Sequence, residues 1–190
     1  MTLRHAKTIA LMCGILVSFN VSALGIAIDT EDLIDRAKLI VIGKVVSKTG
    51  LEMNWFYYGD EPSVEPPKEI MTEYRIAISR ILKGELSDVK LNFYGFGGVV
   101  EGRRSDWSFG FDYEPGDLLL LFLEWDEQNR VWIVNGQSQG LFKLETVNGL
   151  IQVKRLVSDA LIVNGGEIPI NEHQKQQTEK LEAFINKSEK

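Results

Sequence analysis

The stretch from Thr72 to Tyr94, TEYRIAISRILKGELSDVKLNFY, constrains the fold more than any other. Tyr74, Ile76 and Ile78 alternate with Glu73, Arg75, Ala77 and Ser79, the period of a strand with one face buried. After Lys83-Gly84 the alternation resumes in Val89, Leu91 and Phe93, with Lys90, Asn92 and Tyr94 on the other face. Gly84 accepts the positive φ of a tight reversal, so the two runs read as neighbouring antiparallel strands. The adjacent pair Ile81-Leu82 breaks the alternation and predicts a bulge or a turn to a new sheet direction. The rest of the chain reads as further strands added to this pair.

Upstream, Ile26 to Arg36 reads as a short helix with Thr30 as N-cap, Glu31 and Asp32 at its positive end, and Leu33, Ile34 and Ala37 on one face. Lys38 to Ser47, KLIVIGKVVS, has apolar residues at both parities, which predicts a strand buried on both sides, as in a barrel closed by a helix. Gly43 at its middle marks a bend or a close backbone approach. Leu51 to Ile70 shows no period. It holds four consecutive aromatics and three prolines, and reads as a long connection of the kind that often carries function.

Gly95 to Gly116 has six glycines and a second aromatic cluster, and reads as another long loop with room for a short ribbon. Asp117 to Trp125, DLLLLFLEW, is the expected central strand, and Val131 to Val134 its return. Turns are expected at Asn135-Gly136 and Asn148-Gly149, with strands at Leu141 to Glu145, Leu150 to Val157 and Leu161 to Val163. From Asn171 a polar helix follows, with Leu181, Phe184 and Ile185 as a narrow apolar stripe expected to dock on the barrel.

Arg4, His5 and Lys7, then the apolar run Ile9 to Val17, then Val21-Ser22-Ala23, form a secretory leader with expected cleavage after Ala23. The run is shorter than the roughly 20 residues of a membrane span. The expected organisation is a signal peptide over 1–23, a β-barrel domain over 24–170 and a C-terminal helix over 171–190. The protein is then exported by the general secretory route to the periplasm or exterior. Cys13, the one cysteine, falls in the leader, so the mature chain forms no disulfide, thiolate metal site or cysteine nucleophile. The whole chain carries a net charge of −6, and loss of Arg4 and Lys7 makes it −8, which argues against a nucleic-acid partner.

The order of a short helix, Leu39 to Val46, Leu82-Lys83-Gly84, Pro115-Gly116-Asp117 and Gly136 to Gly140 resembles the barrels of the tissue-inhibitor-of-metalloproteinase (TIMP) and netrin-like OB-fold group. Its uncharacterised bacterial secreted members are the most similar. The resemblance runs from Asp29 to Leu144. It implies a mainly β fold: a closed or partly open five-stranded OB-like antiparallel barrel with an extra hairpin, a short N-terminal helix and a C-terminal helix, an architecture known mostly for binding. In those inhibitors a mature N-terminal cysteine chelates the target's zinc; no cysteine follows Ala23 here, so that mechanism does not carry over.

No catalytic constellation is legible. His173 is the one histidine of the expected mature chain and sits among polar residues of the terminal helix. Ser105, Ser108 and Ser138 lie in no G-x-S-x-G context. Asp106, Asp112, Glu114 and Asp117 lack calcium-loop spacing and read as a solvated acidic loop. No metal site and no cofactor is expected. The candidate binding residues are Trp55, Phe56, Tyr57 and Tyr58 in one loop, and Arg103, Arg104 and Trp107 in the other. Aromatic and arginine side chains are the types enriched where proteins meet. Four aromatics in a row cannot all point inward, so part of that surface is expected to be open. Two uses stay open: contact with a partner, protein or sugar polymer, or plugging the barrel's ends. The sequence therefore favours an exported, non-catalytic module that recognises a protein through these loops. An envelope-acting hydrolase using loop carboxylates, and a structural protein that self-associates through a strand edge, are the alternatives.

Overall fold

The computed structural model describes residues 25–26, 28–57, 65–86, 88, 90–106, 113–147, 150–155, 162–163 and 170–187. The expected leader, Tyr58, Trp107, Asp112 and the turn at Asn148-Gly149 lie outside the described residues. The elements are β1 (Gly25–Ile26), α1 (Thr30–Arg36), β2 (Leu39–Asn54), β3 (Lys68–Lys83), β4 (Lys90–Phe96), β5 (Gly98–Val100), β6 (Arg103–Ser105), β7 (Leu118–Asp126), β8 (Val131–Val134), a 3-10 turn (Gln137–Gly140), β9 (Leu141–Val147), β10 (Leu150–Arg155), β11 (Ile162–Val163) and α2 (Ile170–Lys187).

Among the described residues the protein is mainly β with two helices. Seven strands form one sheet in the order β10-β9-β7-β2-β3-β4-β8, and β8 pairs again with β7, so five of them form a ring. A walk across the ladders from Leu39 passes Leu123 and Val134, steps back along β8 to Trp132, and continues through Phe93 and Tyr74 to Lys48. It re-enters β2 well beyond its starting point, so the ring closes with a stagger and its strands tilt. The expectation of an antiparallel sheet is corrected at one seam, where β4 and β8 run parallel. Five strands cannot alternate direction all the way round a closed ring. The hairpin β9–β10 extends the sheet outside the ring, against β7.

Both parities of β2 and β7 are apolar because two cores lie on opposite faces of these strands. Leu39, Val41, Leu119, Leu121 and Leu123 face one, with Tyr74, Ile76, Leu91, Phe93 and Tyr113. Ile40, Ile42, Leu120 and Phe122 face the other, with Leu33 and Ala37 beside α1 and Leu181 and Ile185 of α2. Burying a Leu or Phe side chain is worth about 1.5–3 kcal/mol, so strands buried on both faces dominate the stability. The alternation of the Thr72–Tyr94 stretch is present as expected, with Gly84 at φ 82°.

The register of β2 on β3 shifts between Ile40 and Val41, leaving Leu82 as the extra residue of the expected bulge, and shifts again at Gly43. A Cβ on Gly43 would collide with Ile76 and stand 2.8 Å from the Ala77 carbonyl oxygen, the close approach its position implied.

Three further expectations fail. The helix read over Ile26 to Arg36 begins only at Thr30, because Ile26 pairs with Val163 in β1. Leu51–Ile70 is not one connection: β2 runs on to Asn54 and β3 begins at Lys68, because Leu51 and Met53 alternate with exposed Glu52 and Asn54. The prolines confine the break to the residues between these strands. Thr30 is not the N-cap of α1; Asp29 is, without a side-chain cap bond. Thr30 is buried, its N–H donating to Gln177 Oε1 at 2.6 Å and its hydroxyl to the Gln177 carbonyl at 3.2 Å. Lys83 Nζ donates to the Ile34 and Asp35 carbonyls at the end of α1, where a cation suits the helix dipole.

Candidate functional site

The described residues Trp55, Phe56, Tyr57, Arg103 and Arg104 lie on one arm, made of the far ends of β2 and β3 and the β5–β6 ribbon, whereas Tyr113 is buried in the core that holds Tyr74 and Phe93. Trp55 is 4% exposed and packs edge-on against Phe96, at 5.1 Å between ring centroids. It is therefore a packing element of the arm and not an open contact. Phe56 and Tyr57 are half-buried; Tyr57 stacks on Phe96 at 6.2 Å and donates its hydroxyl to Glu69 at 2.6 Å. The Phe56 backbone is fixed by the β7–β8 turn. Asn129 Oδ1 accepts the Phe56 N–H, and Asn129 Nδ2 donates to the Phe56 carbonyl, each at 2.9 Å.

The ribbon turns at Glu101-Gly102, both at positive φ, and presses Val99 against Gly50, where a Cβ would strike the Val99 carbonyl. Arg103 ties the ribbon to β2 through Glu52 at 2.6 Å, and this hydrogen-bonded guanidinium holds the Glu52 carboxyl below the usual range. Arg104 is exposed and pairs with Asp106 at 2.7 Å. Phe56, Tyr57, Arg103 and Arg104 thus share one arm, while Tyr58 and Trp107 lie outside the described residues.

The acidic residues do not converge. Asp106 pairs with Arg104, Glu114 with Lys48, and Asp117 with Lys143 at 2.7 Å. Burial pushes the Asp117 carboxyl up, but hydrogen bonds from Lys143 and the Glu114 N–H outweigh it and hold the group below its ordinary value. Among the described residues no group of His, Cys, Asp and Glu is placed to hold a metal ion.

A second feature went unread in the sequence. An open groove of about 410 Å³ lies where β4 meets the β7–β8 hairpin. Lys90, Asn92 and Tyr94 line one wall, and Arg130, Trp132 and Trp125 the other. Trp125 and Trp132 are directly opposed in the β7–β8 ladder and meet edge to face at 5.3 Å, with Trp125 38% exposed. Glu73 accepts hydrogen bonds from Asn92 Nδ2 at 3.0 Å and the Tyr94 hydroxyl at 2.8 Å. Burial, then Glu73, pushes the Tyr94 phenol up to about 12. The hairpin spacing was the available signal: a turn at Asp126–Arg130 sets Trp125 opposite Trp132.

The chain matches no family model and no curated protein. Among the described residues no helix is long and apolar enough to cross a membrane.

Proposed function

We propose that this protein is an exported, non-catalytic binding module, built on an OB-like barrel of the TIMP and netrin-like type, that recognises a protein through its aromatic arm. The staggered closure of the ring and the hairpin outside it support the barrel reading. One observation carries the function: the half-buried rings of Phe56 and Tyr57 and the exposed guanidiniums of Arg103 and Arg104 share an arm whose backbone is pinned by Asn129 and packed from below by Trp55. Rings and guanidiniums already held in place lose little freedom on contact, which favours association. Export rests on the leader pattern of residues 1–23.

The test is a crosslinking pull-down from envelope extract with residues 24–190, beside the Phe56→Ala/Tyr57→Ala/Arg104→Ala variant. A band captured by the unaltered protein and lost in a variant that still unfolds cooperatively supports the arm as the contact. Identical bands from both proteins, or none, reject it. Association of the pure protein that grows with concentration would favour self-assembly instead.

A further inference from the structure

We propose that the groove between β4 and the β7–β8 hairpin is a second binding site, taking a short extended acidic segment of polypeptide. The inference rests on the protein-binding reading but places the contact away from the aromatic arm. Three observations carry it.

The first is charge. The chain is acidic overall, at −6, yet Lys90 and Arg130 stand on opposite walls of this groove, and neither has an ion-pair partner among the described residues. Lys48, Arg103, Arg104, Lys143 and Lys180 are paired; among the described residues Lys38, Lys44 and Lys68 have no ion-pair partner either, but none of those lines this groove. The one carboxylate in the lining, Asp88, accepts the Lys90 N–H at 3.1 Å and closes its own turn. Unpaired cations on facing walls suit carboxylates, and an arginine fork can hold one through two parallel bonds.

The second is Arg130 itself. It occupies the left-handed region at φ 55°, a hairpin position that glycine or asparagine fills at lower cost. An arginine there is explained by its side chain, which the turn delivers to the groove.

The third is the seam. β4 and β8 pair only at Phe93–Trp132 and Tyr94–Ile133, so the ladder gives out where Lys90 to Asn92 and Arg130 to Val131 line the groove. A strand left unpaired along part of its length can take an extended chain through main-chain hydrogen bonds. Trp125, 38% exposed and with its indole N–H donated to Glu127, would hold an apolar side chain beside the acidic ones.

A phage-displayed random dodecapeptide library panned against residues 24–190 tests this, with enriched peptides titrated by tryptophan fluorescence. The expected result is enrichment of Asp and Glu next to an aromatic or aliphatic residue. Binding should weaken at least ten-fold in Lys90→Glu/Arg130→Glu, weaken as salt rises, and persist in Phe56→Ala/Tyr57→Ala. The two charge reversals change exposed side chains, and circular dichroism checks that the variant folds. No acidic enrichment, or full binding by the charge-reversal variant, overturns the proposal. Peptides lost only in Phe56→Ala/Tyr57→Ala would overturn it too while leaving the arm as the contact. Saturable quenching by oligogalacturonate, with no peptide enriched, would overturn it in favour of an acidic glycan.

Discussion

Gln177 Oε1 accepts the backbone N–H of Thr30 at 2.6 Å, across 147 residues of sequence. One carboxamide thus closes the first turn of α1 from α2, and its Nε2 donates to Asp29 at 3.2 Å. Lys180 adds an exposed ion pair to Glu31 at 2.7 Å, which draws that carboxyl below its ordinary range. Buried and doubly engaged, Gln177 does more to join the helices than this surface pair.

Replacing Gln177 by Ala leaves the buried Thr30 N–H without its partner, while the Thr30 hydroxyl keeps the main-chain carbonyl of residue 177. The expected loss is about 1–3 kcal/mol, the cost of a stranded buried polar group. Urea unfolding should show a lower midpoint with an unchanged slope; an unchanged midpoint would mean the helices are joined by apolar packing alone.

Trp55→Ala empties a buried site against Phe96, and the expected cost is about 3–5 kcal/mol. Thermal unfolding followed by near-ultraviolet dichroism reads it. A loss below about 1 kcal/mol, the range of surface changes and small repacking, would place this ring outside the cooperative core.

Gly43→Ala forces a Cβ into Ile76 and the Ala77 carbonyl at the bend of β2. Overpacking of this kind costs about 1–3 kcal/mol. Gly102→Ala is the control, because nothing stands within 4 Å of its Cβ although its φ is 79°. The Gly43 variant should lower the urea midpoint more than the Gly102 variant does; the reverse order would remove close approach as the reason for glycine at 43.

Tyr94 and Tyr113 share the alkaline behaviour, burial raising both phenols, and a hydrogen bond to Glu73 raises that of Tyr94 further. Its phenol is raised to about 12 in the fold, above the value near 10 of an unfolded tyrosine. Between those values the unfolded chain has released a proton that the folded chain keeps, so stability falls as pH rises from about 10 to about 12. Absorbance titration at alkaline pH should show late-titrating tyrosines, one of which moves to lower pH in Glu73→Gln. No shift in that variant would leave burial as the sole cause.

Local patterns in the sequence translated well into strands. Alternation placed Tyr74, Ile76, Leu91 and Phe93 inward, and mixed parity marked β2 as covered on both faces. Gly84 and the Ile81-Leu82 irregularity marked a turn and a bulge that are present. What failed depended on partners distant in the chain. Thr30 has the composition of an N-cap, but Gln177 claims it. Gly25 and Ile26 form a strand only because Ile162 and Val163 lie beside them in parallel. Trp55 looked like part of an exposed run until Phe96 covered it. The groove has no local signature, because Lys90 and Arg130 come together only through the β4–β8 seam.

The double covering of β2 also sets an order of events during synthesis. β2 leaves the ribosome early, yet β7 shields one of its edges from Leu39 to Lys44, and α2 reaches the outer core only with Leu181 and Ile185. Pairings so far apart in sequence form slowly. A nascent chain ending before Leu118 therefore carries its most apolar early strand with one edge unpaired and both faces lacking the β7 leucines, the kind of segment that invites aggregation or a holding chaperone. The strand made first among the long ones is the last to be satisfied.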